Sequence, residues 1–169
     1  MAALGGEAES SARLYFTGGA TAVLLGWRSS TIDVDILIAP EQDRLFRALP
    51  ALKESIGVNI ELACPAHFIP ELPGWETRSL FIEQQGKVAF YHYDLYAQAL
   101  AKIERGHSQD TLDVDEMICR RLIDPAELMR LFDQIEPRLY LFPALDPASF
   151  RRAVERVVRS GPPKDAGST

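Results

Sequence analysis

Thr31 to Ile38 alternates along its length, with Ile32, Val34, Ile36 and Ile38 on one side and Thr31, Asp33, Asp35 and Leu37 on the other. Period two predicts a strand with one apolar face. Just upstream the period changes. In Gly19 to Trp27 the positions Ala20, Val23, Leu24 and Trp27 recur at i, i+3, i+4 and i+7, which predicts a short one-faced helix. Leu14, Tyr15 and Phe16 run into Gly18-Gly19, a short strand ending in a tight turn. Pro40 with Glu41 and Asp43 predicts a helix start, continuing to about Ser55 with Pro50 as a kink or break and Gly57 as the stop. Val58, Ile60 and Leu62 then alternate with Asn59 and Glu61, a second half-buried strand.

Residues 65–76 hold three prolines and a glycine and read as a loop. Ser79 to Ile82 and Val88 to Tyr93, joined by Gln85-Gly86-Lys87, read as a hairpin. From Asp94 the pattern becomes helical: Leu95, Ala99, Leu100 and Ile103 mark one face, ending near Gly106. Further helices start at Ser108 to Thr111, at Asp124-Pro125 and at Asp146-Pro147. The expected architecture is α+β: a small mixed sheet with flanking helices over 13–93, followed by a helical carboxy-terminal region over 94–159. Residues 1–12 and 160–169 are expected to be flexible ends.

Composition adds limits rather than detail. Hydrophobic residues make up 47% and charged residues 25%, the balance of an ordinary folded domain. The net charge of -6 disfavours a general nucleic-acid binder. Cys64 and Cys119 stand in unlike settings with no C-x-x-C, so they suggest neither a zinc site nor a disulfide framework, and they are expected in or near the core. His67, His92 and His107 lack metal-ligand spacing and read as structural or surface residues. No stretch is long and apolar enough to span a bilayer, and no signal-like pattern opens the chain, so a reducing cytoplasm is the expected location.

The chemistry concentrates around the first strands. Asp33 and Asp35, two apart on a strand, share a face with their Cα atoms roughly 7 Å apart. A bridging divalent cation relieves such repulsion, and Mg²⁺ takes one or two carboxylates together with substrate phosphates. Glu61, polar on a neighbouring predicted strand, would supply a third carboxylate. Three acids can hold two Mg²⁺ ions, the arrangement for an in-line phosphoryl displacement, with Mn²⁺ an alternative. Gly18 and Gly19 let a backbone approach a phosphate closely, Thr17 and Thr21 offer hydroxyls, and Arg28 and Arg105 offer cations.

Gly18-Gly19, a spacer of residues 20–32 and Asp33-Val34-Asp35 resemble the signature of the DNA polymerase β-like nucleotidyltransferase superfamily. Within it, "GGATAVLLGWRSSTIDVDI" and "YDLYAQALAKIERGHSQDTLDVDEM" look like the minimal AbiE-toxin (AbiEii) type and a related bacterial family, a likeness spanning most of residues 14–150. The resemblance implies transfer of an NMP from an NTP to an acceptor hydroxyl on RNA or protein, with a cognate antitoxin or toxin as partner. It also implies that Lys102 and Asp110, with Asp113 an alternative acid, complete the nucleotide site. The alternative is a non-catalytic nucleotide-binding or antitoxin-like interaction module on the same scaffold.

Overall fold

The computed structural model describes residues 1–161. The chain forms two compact units: residues 1–64 with 76–94, and residues 65–75 with those from 95 onward. Residues 65–75 group with the helices that follow residue 94, and the remaining residues up to 94 group with the sheet.

The first unit holds α1 (Ala2–Gly5), β1 (Ala12–Thr17), α2 (Gly18–Leu24), β2 (Asp33–Ala39), α3 (Asp43–Ile56), β3 (Asn59–Leu62), β4 (Leu80–Gln85) and β5 (Val88–His92). The strands form one mixed sheet in the order β3-β2-β1-β5-β4. β1 is antiparallel to β2 and parallel to β5, β2 is parallel to β3, and β4 and β5 make the antiparallel hairpin. Alternation gives the sheet two unlike faces. Ala12, Leu14, Ile36, Ile38, Ile60, Val88 and Phe90 pack with Leu45 and Leu49 of α3 and Leu4 of α1 as the core. The registers Thr17↔Asp35 and Asp35↔Glu61 place these three residues on the opposite face. Burial of Ile36 and Ile38 thus holds Asp33 and Asp35, on the alternate positions of β2, away from the core: slipping β2 by one residue would bury charge.

Three local expectations need correcting. Residues 1–12 are not a loose end, because Leu4 is buried in the core and Gln42 ties the segment down. Its side-chain oxygen accepts from the Glu9 amide at 3.1 Å, and its Nε2 donates to the Ser10 carbonyl at 3.1 Å. Pro40 does not open α3: the helix begins at Asp43 after Gln42, and Pro50 sits inside it. Cys64 is buried as expected, but Cys119 is exposed, since it ends its helix on the solvent side. The tail expectation for 160–169 falls, beyond Gly161, outside the described residues.

Residues 65–75 open with a 3-10 turn (Pro65–His67), and α4 (Trp75–Arg78) follows. In the second unit α5 (Leu95–Arg105), α6 (Ser108–Cys119), α7 (Pro125–Ile135) and α8 (Pro147–Ser160) form a helical group, with a 3-10 segment (Glu136–Leu141) before α8. The starts of α7 and α8 follow the sequence closely. Asp124 accepts from the Glu127 amide at 2.8 Å and Asp146 from the Ala148 amide at 3.2 Å, each with proline in the first turn. Leu100, Met117, Leu128, Phe132 and Val154 are fully buried, and Phe132 meets Phe150 edge-on at 4.9 Å.

Candidate active site

β1 ends at Thr17 and the chain turns at once into α2. Gly18 makes that turn with φ +59°, a left-handed conformation that side chains rarely adopt. Thr17 lies opposite Asp35, so the turn and the carboxylate are neighbours by register. A Cβ at position 18 would stand 2.8 Å from Asp35 Oδ2. A Cβ at position 19 would collide with the Thr31 hydroxyl and lie 3.5 Å from Arg28 Nη1. Gly18 is therefore favoured by its left-handed backbone, a side chain at position 18 or 19 would displace Asp35 or Thr31, and Arg28 stands beside the turn.

The acids line up across two strands. Parallel pairing of β2 and β3 sets Asp33 opposite Asn59 and Asp35 opposite Glu61, where alternation had placed Glu61 only on a nearby strand. Asp33 and Glu61 are exposed and Asp35 is half-buried. Asn59, to which the sequence reading assigned no role, joins two of them. Its Nδ2 donates to Asp33 Oδ1 at 3.1 Å and to Glu61 Oε1 at 2.7 Å, and its Oδ1 accepts from Lys53 Nζ at 3.3 Å. The signal was available in the spacing: Asn59 and Glu61 are two apart on one strand, as Asp33 and Asp35 are.

The donor set is of the right kind for a hard divalent cation, with three carboxylates on one sheet face. Among the described residues, no group of three or more acidic, histidine or cysteine side chains is gathered around one point as they lie. Asp33 and Glu61 turn to Asn59, and Asp35 turns to Gly18. A cavity of about 390 Å³ opens on the same face beside Arg13, where Ala39 and Ala89 leave room. It lies four residues along β2 from Asp35, roughly 13 Å at strand rise, so it is separate from the carboxylates.

Thr17 and Thr21 are both buried. The Thr21 hydroxyl donates to the Phe16 carbonyl at 3.1 Å, and its oxygen lies 3.3 Å from Nδ1 of buried His92. Thr21 therefore braces the turn from behind. Burial pushes the His92 ring down to about 4, so it is neutral near pH 7.

Lys102, Arg105, Asp110 and Asp113 come together in the second unit. Lys102 Nζ donates to Asp113 at 2.5 Å and to Asp110 at 3.3 Å, and Arg105 binds Asp110 through Nε and Nη2. Lys102, Asp110 and Asp113 are all buried. Burial pushes the Asp110 carboxyl up, but the Arg105 hydrogen bond and the charges of Lys102 and Arg105 outweigh it and hold the group below its ordinary value.

No helix among the described residues is long and apolar enough to cross a membrane. No curated protein and no solved structure matches the chain. The family model described as "Nucleotidyltransferase of unknown function (DUF6036)" matches residues 2–159, a span that includes the glycine turn, all three carboxylates and the buried Lys102 cluster. With nearly its whole length matched, the chain belongs to that nucleotidyltransferase family.

Proposed function

We propose that this protein is a metal-dependent nucleotidyltransferase that moves an NMP from an NTP to an acceptor hydroxyl on RNA or protein. One observation carries the reading: the Asp35 carboxylate lies against the left-handed Gly18 turn, and Glu61 stands opposite Asp35 on the next strand. A triphosphate laid against the Gly18-Gly19 backbone would meet the acids there, with Arg28 as a cation for its charge. Asp33, Asp35 and Glu61 would hold Mg²⁺ as two ions, with Mn²⁺ an alternative, to neutralise charge developing at the α-phosphate. The acceptor oxygen would bond to the α-phosphorus as the bond to the β-phosphate oxygen breaks, and pyrophosphate would leave. Glu61 would take the hydroxyl proton, being exposed and opposite Asp35.

Lys102 is left out of this mechanism, since its ammonium is held by Asp110 and Asp113. Placement near the AbiE toxin type, with a toxin-antitoxin partner, is supported by the motif likeness alone. The test is calorimetry with each NTP, with and without Mg²⁺, on the wild type and Asp35→Ala, paired with labelled NTPs in cell extract. Mg²⁺-dependent NTP binding that is lost in the variant, with label passing to an extract RNA or protein, is expected. Metal-independent binding without transfer would instead indicate a non-catalytic nucleotide-binding module.

A further inference from the structure

Asn59 sits where two like charges would otherwise face each other. Asp33 and Asp35 alternate outward on β2, Glu61 does so on β3, and the register brings Asp33 level with Asn59. Both N–H donors of one amide are consumed, one by Asp33 Oδ1 and one by Glu61 Oε1. Lys53, near the end of α3, donates to the amide oxygen, which orients the amide and polarises its donors toward the acids. A neutral group thus occupies lone pairs on two carboxylates that a divalent cation would also use.

We infer that Asn59 is a positioning residue that stands in for the cation in the metal-free protein and is displaced when metal binds. This rests on the metal-site reading above and adds a thermodynamic consequence. Bonds present only without metal stabilise only that state, so removing them destabilises the metal-free protein and tightens metal binding by the same factor. Lys53 acts through Asn59, so its loss has the same sign and a smaller size.

The experiment measures thermal stability and isothermal binding across a Mg²⁺ titration, repeated with Mn²⁺, for wild type, Asn59→Ala, Asn59→Thr and Lys53→Met. Threonine suits an exposed strand position and guards against a folding defect. The expected result is a lower melting temperature for Asn59→Ala without metal, a difference that closes at saturating Mg²⁺, and an apparent Kd for Mg²⁺ reduced roughly three- to tenfold, the scale of exposed hydrogen bonds to charged groups. Asn59→Thr shifts in the same direction. Equal destabilisation with and without metal, or unchanged or weaker Mg²⁺ affinity in both variants while the wild type responds to Mg²⁺, overturns the role of Asn59 and leaves the metal site standing. A wild type indifferent to both metals overturns the metal site, and the inference with it.

Discussion

Asp35 Oδ2 lies 2.8 Å from where a Cβ on Gly18 would be, so a side chain at position 18 would push the carboxylate out of its place beside the turn. Their closeness follows from register, since Thr17 pairs with Asp35 and Gly18 is the next residue. Gly18→Ala should therefore disturb function more than stability. The left-handed backbone costs about 1–2 kcal/mol, while displacement of Asp35 should lower NMP transfer at least about tenfold. Gly106→Ala, at φ +68° with no close neighbour, is the control: it pays the backbone cost and should leave transfer intact. Urea melts and transfer rates on both variants make the comparison.

Asp35→Asn keeps the shape and removes the charge. Transfer should fall by about a hundredfold or more, on the scale of losing a preorganised electrostatic group, and NTP binding should lose its Mg²⁺ dependence. Folding should change little, because Asp35 is only half-buried and faces away from the core. Circular dichroism and calorimetry on one preparation separate the two effects.

Lys102→Met takes the Lys102 ammonium away from buried Asp113, while Asp110 keeps Arg105. Removing one partner of a buried ion pair costs about 3–5 kcal/mol, so a large drop in unfolding free energy is expected. The double variant Lys102→Met/Asp113→Leu should recover much of it. A small stability loss together with lost NTP affinity would return Lys102 to the nucleotide site.

His92 predicts a pH dependence with a definite sign. Its folded value of about 4 lies below the ordinary 6.5, so between those values the unfolded chain binds more protons. Stability is complete above pH 6.5 and falls as the pH drops toward 4, by about 3 kcal/mol if the whole shift is realised. Asp110 acts lower, its contribution present above its ordinary 3.8 and lost as acid carries the pH through its depressed folded value. Thermal melts from pH 8 to pH 4 should show a shallower slope for His92→Gln than for the wild type.

The acids were legible because alternation leaves no choice: with Ile36 and Ile38 buried, Asp33 and Asp35 must face outward. The turn was legible because adjacent glycines break a strand. Helix starts at Asp124-Pro125 and Asp146-Pro147 were legible because capping is local. Pro40 misled for the opposite reason. A proline before acids looks like a helix start in isolation, yet α3 starts only after Gln42, whose side chain is turned away to hold residues 9–11.

By itself the sequence determined most of the strands and helices, the glycine turn and the outward face of β2, all set by spacing along one chain, whereas the pairing of β1 with β2 is what brings that turn to Asp35. Only tertiary structure decided that β3 runs parallel to β2 with Glu61 opposite Asp35, that Asn59 ties Asp33 to Glu61, and that Lys102 is claimed by Asp110 and Asp113. Those depend on which strand or helix packs beside which. Periodicity tells a residue which way to face, and the partner it faces comes from the register of a distant segment.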